Sequence, residues 1–154
     1  MNLTRDDGDA EALPDAIVEH PLWRHAPAAA KPYVQLARVD RPIGWWLLLL
    51  PCWESSTLAS ASLHLPPDLW RLALFFIGAV VMRGAGSTYN DYVDREIDSR
   101  VTRTKGRPLA SGRVSVRAAW WFIVAQCLIG LGVLLSFNRL TVTLGFLSPL
   151  IVLL

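Results

Sequence analysis

Asn90-Asp91-Tyr92-Val93-Asp94-Arg95-Glu96-Ile97-Asp98 places three aspartates and an asparagine directly after an apolar stretch of membrane length. Carboxylates beside hydrocarbon are costly and need partners. At ~100° per helical residue, Asn90, Asp94 and Asp98 stack at i, i+4 and i+8, with Asp91 on the flank of the same face. Stacked like charges repel, so a divalent cation or basic side chains must neutralise them. Mg²⁺ suits such a set, because it takes one or two protein carboxylates and completes its shell with water and substrate phosphates.

Basic groups lie close by in sequence. Arg83 precedes Asn90 by two helical turns and so shares the face of the acids. An arginine inside a span faces a polar cavity or pairs with an acid. Glu54 is one candidate partner, and anion binding in a cavity beneath the metal ligands is the preferred role. Gly84 and Gly86 leave room for a neighbouring helix or ligand. Arg38-Val39-Asp40-Arg41-Pro42 marks an entry into the membrane, from which Arg38 can reach a site on the same side. Lys105-Gly106-Arg107-Pro108 adds two more cations, framed by glycine and proline.

The elements that position these residues are membrane helices. The chain has 154 residues, of which 53% are hydrophobic, more than an ordinary soluble domain needs. Hydropathy predicts spans over 43–61, 69–87 and 118–137, and the start of a fourth over 140–154. Pro42 opens the first and Pro51 should kink it; 64–68 is a short turn and 90–117 a polar loop. The fourth run has about 15 residues where a crossing needs ~20, so the chain reads as the N-terminal portion of a longer protein. Residues 1–32 read as a flexible, acidic cytoplasmic extension with a short helix near 15–20, and 33–154 as the membrane domain. The extension lacks the basic start and apolar core of a secretory signal. Cys52 and Cys127 suit inert thiols, and His20, His25 and His64 are too scattered to form a metal site. Lys and Arg crowd the segments before the first span and after the second, while the turn after span one has none before Arg71. Both crowded segments, and the aspartates with them, are therefore expected to face the cytoplasm.

Three blocks together resemble the UbiA superfamily of intramembrane aromatic prenyltransferases, and within it the members that act on 4-hydroxybenzoate. They are Arg38-Val39-Asp40-Arg41-Pro42-Ile43-Gly44, Met82-Arg83-Gly84-Ala85-Gly86, and the run from Asn90 through Arg107-Pro108-Leu109. The last is similar to the family's first aspartate motif, NDxxDxxxD, with its following arginine-proline loop. The resemblance implies an all-α bundle of nine transmembrane helices, of which this chain holds the first three and part of the fourth. It also implies a second aspartate motif, which this chain lacks, so the chain alone is expected to be inactive. The implied reaction transfers a polyprenyl group from polyprenyl diphosphate to the ring carbon ortho to the hydroxyl of 4-hydroxybenzoate, in ubiquinone biosynthesis, at the bacterial inner membrane.

The resemblance also implies roles. Mg²⁺ falls to Asn90, Asp91, Asp94 and Asp98, with Asp94 and Asp98 the catalytic pair. Arg95, Lys105 and Arg107 fall to the diphosphate, and Arg83 or Arg38 to the benzoate carboxylate, for which a guanidinium offers two parallel donors. The lipid bilayer is the remaining partner, and nucleic acid is not one. Another superfamily member with a different acceptor shares the aspartate motif. A CDP-alcohol phosphotransferase would need an Asp-Gly pair followed by Ala-Arg, absent here. A cation transporter or scaffold would carry its acids in mid-span rather than at a boundary beside a basic loop.

Overall fold

The computed structural model describes residues 25–153, with side chains described to residue 148. The expected acidic extension falls mostly on 1–24, outside the described residues. Six helices occur in the order α1 (Lys31–Ala37), α2 (Ile43–Ser62), α3 (Leu69–Val93), α4 (Arg95–Arg100), α5 (Val116–Leu135) and α6 (Arg139–Leu153). No strand occurs among the described residues.

Local chemistry sets the helix ends. Asp68 caps α3 by accepting from the backbone N–H groups of Trp70 and Arg71, and Ser115 caps α5 by accepting from Ala118 N–H. Asn138 does the same for Thr141 N–H at the start of α6 (2.8 Å). Helix α2 runs through Pro51, and the Ser55 hydroxyl donates to the Pro51 carbonyl at 2.7 Å.

Of the four expected spans, two meet the demands of length and apolar composition among the described residues: α3 and α5. Helix α2 is as long as α5 at 20 residues. Its second half is diluted by Glu54-Ser55-Ser56-Thr57, which lowers its hydropathy. Helix α6 has 15 described residues, about 22 Å of rise, short of a ~30 Å hydrocarbon core.

Helix α3 is the axis of the molecule, packing against α1, α2, α4 and α5. It also extends six residues past the expected end at Ser87, so its last turns carry the polar run expected in a loop. The remainder of that loop is not loose. Leu109 and Val114 join Leu36 of α1 and Ala119 of α5 in a buried cluster, flanked by Tyr33, Tyr92 and Phe122. Pro108 is fully buried, and Val114 N–H closes back on the Pro108 carbonyl at 3.0 Å. The apolar core of this end of the bundle therefore sits directly under the charged loop and holds it down.

Candidate functional site

Three helices and the loop after α4 bring four charged side chains together. Asp91, on the last turn of α3, is 3% exposed, and Asp98, on α4, is 6% exposed. Arg107 donates through Nη1 to Asp98 Oδ2 at 2.7 Å and to Asp91 Oδ1 at 3.2 Å. Arg38, at the end of α1, donates through Nη2 to the same Asp91 Oδ1 at 2.9 Å. Arg38 adopts left-handed backbone angles (φ 51°, ψ 35°), which end α1. Thr104 Oγ1 donates to the Asp98 carbonyl at 3.2 Å, tying the loop to α4 beside the pair.

Two buried carboxylates so close would repel. The arginines compensate them, and losing one partner would leave a buried charge exposed to the full desolvation cost. The expected neutralisation is thus present as guanidinium groups. Asp91, expected on the flank of the acidic face, is its most heavily paired member.

The remaining expected residues divide clearly. Helical i→i−4 bonds continue across the junction of α3 and α4, from Asp94 N–H to the Asn90 carbonyl (2.9 Å) and from Asp98 N–H to the Asp94 carbonyl (2.8 Å). The expected register of Asn90, Asp94 and Asp98 holds in the backbone. Asn90 is exposed and Asp94 half-buried. Arg95 lies 3.8 Å from Glu96 at the surface, and Lys105 is exposed.

Arg83 is not paired with Glu54, which is exposed on α2. Its Nε is buried without a hydrogen-bond partner. The guanidinium lies over Gly44, where a methyl group would come within 2.5 Å of Nε. The first two sequence blocks therefore meet in space at Gly44 and Arg83.

Asn90, Asp94 and Asp98, the residues expected to hold a cation, differ in their surroundings: Asn90 is exposed, Asp94 half-buried and Asp98 buried. No group of three or more His, Cys, Asp or Glu side chains among the described residues is placed to hold an ion alone. Asp98 engages Arg107 through Oδ2, while the Asn90 and Asp94 side chains face outward on the same register.

Sequence reasoning missed Gln35 and Arg113. Arg113 donates through Nη2 to Gln35 Oε1 (2.9 Å) and to the Gly106 carbonyl (2.6 Å). The sequence counted Arg113 only as one more loop charge; its place just after Ser111-Gly112 was the available signal. Asp40, 1% exposed with Arg41 Nε 3.6 Å from its Oδ2, was read only as part of the block that enters the membrane, with no role of its own. A cavity of about 920 Å³ lies between the second half of α2, the start of α3 and the α5–α6 turn. That is roughly 30 Å along α3 from Asp91, so it takes no part in this charge cluster.

Comparison with known proteins places the geometry. Mitochondrial 4-hydroxybenzoate polyprenyltransferase of Bos taurus is 48% identical over 127 residues, which cover 82% of this chain and 34% of that protein. 4-Hydroxybenzoate octaprenyltransferase of Shewanella woodyi is 51% identical over 114 residues, 74% of this chain and 39% of that protein. 4-Hydroxybenzoate geranyltransferase 1 of Lithospermum erythrorhizon is 48% identical over 129 residues, 82% of this chain and 41% of that protein. The chain thus spans about a third to two-fifths of the length of these relatives. No solved structure matches it. The profile of the UbiA prenyltransferase family matches residues 43–154, from the start of α2 through α6, and the chain belongs to that family.

Proposed function

We propose that the protein carrying this chain transfers a polyprenyl group from its diphosphate to the carbon ortho to the hydroxyl of 4-hydroxybenzoate. The observation that carries this reading is the joining of Arg38, Asp91, Asp98 and Arg107 at the end of α3, with Asn90 and Asp94 beside them. The three relatives above share 4-hydroxybenzoate in their names and differ in the prenyl chain, which supports the acceptor and leaves the tail open.

In this reading Asn90, Asp94 and Asp98 hold Mg²⁺, which when bound offsets the charge of the leaving diphosphate. Arg95 of α4 and Lys105 and Arg107 of the loop that follows take the same anion. Asp91 leaves the metal set and instead orients Arg38 and Arg107, since both guanidinium groups already occupy its Oδ1. The allylic C–O bond breaks as these cations take up the developing negative charge. The ring carbon ortho to the hydroxyl then bonds the allylic carbon, and loss of the proton there restores the aromatic ring. Arg83 holds the acceptor's carboxylate through its two-donor fork, and the prenyl tail lies in lipid between helices. The protein sits in the inner membrane of a bacterium with the charge cluster on the cytoplasmic face.

The test is substitution in the whole protein, expressed in membranes. Asp94→Ala and Asp98→Ala should each lower prenyl transfer a thousandfold or more, since several kcal/mol of charge stabilisation is lost at ~1.4 kcal/mol per tenfold. Both variants should still insert. Near-normal turnover in both would overturn the reading.

A further inference from the structure

We infer that Arg113 and Gln35 form a positioning clamp that sets the two arginines on Asp91 and thereby tunes the diphosphate end of the site. The inference rests on the proposed prenyl transfer, and it concerns residues to which that reading gives no role.

The geometry is symmetrical about Arg113. Its Nη2 donates to Gln35 Oε1 at 2.9 Å and to the Gly106 carbonyl at 2.6 Å. Gln35 is 4% exposed, and its own carbonyl accepts the backbone N–H of Arg38 at 3.1 Å. Gly106 immediately precedes Arg107. One guanidinium therefore grips Gln35, whose backbone carbonyl accepts the Arg38 N–H at the end of α1, and the residue that leads into Arg107. Arg38 and Arg107 are the two groups converging on Asp91 Oδ1. Arg113 is aimed back at Gly106 by Gly112, whose φ of +74° suits glycine, and its Nε donates to Ser111 Oγ at 3.3 Å.

Arg113 contacts neither Asp91 nor Asp98 and so acts through others. Without it, the segment from Gly106 and the Gln35 side chain each lose a charged hydrogen bond. Arg38 and Arg107 then sample positions away from the acids. Because Arg107 is assigned to the diphosphate and Arg38 shares its Asp91 anchor, the effect should fall on that substrate, while Arg83 and the acceptor are left alone.

The test compares Arg113→Ala, Gln35→Ala, the double variant and Arg113→Lys in the whole protein in membranes. Each alanine variant should raise KM for the prenyl diphosphate roughly tenfold, the size of one lost charged hydrogen bond. KM for 4-hydroxybenzoate should stay within about twofold. The double variant should be no worse than the poorer single one, because both remove the same contact. Arg113→Lys, which keeps one donor, should recover part of the loss.

A readout without turnover is the protection of the Lys105–Gly106 bond from trypsin by inorganic pyrophosphate with Mg²⁺. It should need about tenfold more pyrophosphate in Arg113→Ala. If Arg113→Ala fails to accumulate, Gln35→Ala and Arg113→Lys carry the same comparison. Unchanged kinetics, losses that multiply in the double variant, or a shift confined to 4-hydroxybenzoate would each overturn the clamp. A wild-type protein that transfers no prenyl group would overturn the reaction instead, which separates the two failures.

Discussion

At the scale of single residues, Arg107 is the most consequential side chain in the cluster. Among the described residues it is the sole side-chain partner of the Asp98 carboxylate and one of two for Asp91. Arg107→Ala therefore leaves Asp98 unpaired, whereas Arg38→Ala leaves Arg107 still on Asp91. Breaking a buried pair costs about 3–5 kcal/mol, so Arg107→Ala should lower the thermal stability of the detergent-solubilised protein markedly and Arg38→Ala clearly less. Heating followed by size-exclusion chromatography reads the order, and an equal or reversed order would contradict the geometry. Arg83 offers a different test, because among the described residues its buried Nε has no hydrogen-bond partner. Arg83→Lys keeps the charge and removes the fork. KM for 4-hydroxybenzoate should rise severalfold with little change for the prenyl diphosphate; the opposite split would move Arg83 to the diphosphate side.

The acids themselves were legible in the sequence, because four oxygen-bearing residues at helical spacing after an apolar run have few other uses. Their partners were not. Helical periodicity says which residues share a face of one helix. It cannot say that Arg38, 53 positions earlier than Asp91, ends a short helix in the left-handed conformation that brings its guanidinium to that carboxylate. Gln35 and Arg113, 78 positions apart, were hidden for the same reason.

At the scale of elements, the two glycines of the Arg83-Gly84-Ala85-Gly86 block do different jobs. A methyl group on Gly84 would collide with Gln126 Nε2 of α5 and lie 3.1 Å from Ala37 Cβ of α1. Gly84 is thus a point of close approach among α1, α3 and α5, the small-residue packing that membrane helices favour. Nothing stands within 4 Å of a methyl group on Gly86. Gly84→Ala should therefore destabilise by about 1–3 kcal/mol through overpacking. Gly86→Ala should be neutral or gain up to about 1 kcal/mol from helix propensity. Thermal stability of the two variants measured side by side checks this, and an equal loss in both would contradict the assignment. Sequence reading gave both glycines the same role because spacing alone cannot tell an open face from a crossing point. It placed the end of α3 at Ser87, where hydropathy falls, yet the backbone ladder continues to Val93. It passed over α1, for which Pro32 in the first turn was the available signal.

At the scale of the whole molecule, the question is which side of the membrane holds the charge cluster. Helix α3 has 25 residues, about 37 Å of rise, enough to carry its two ends to opposite surfaces. Its first turn begins at Asp68 after the turn containing His64, and its last turn holds Asp91. Arg100, Arg103, Lys105, Arg107, Arg113 and Arg117 follow that last turn, and such an excess is retained on the cytoplasmic side. The buried cluster of Leu36, Leu109, Val114 and Ala119 ties α1 and the loop to the same end, so Arg38 must share the side of Arg107. The check uses a background in which Cys52 and Cys127 are replaced by serine, with Ser111→Cys and His64→Cys introduced one at a time. Both positions are exposed. In intact bacterial cells a membrane-impermeant thiol reagent should label His64→Cys and leave Ser111→Cys untouched, and inside-out vesicles should reverse the pattern. Labelling of both from one side would mean that α3 does not cross. Labelling of Ser111→Cys from outside, with His64→Cys protected, would turn the molecule over and put the aspartates on the periplasmic face.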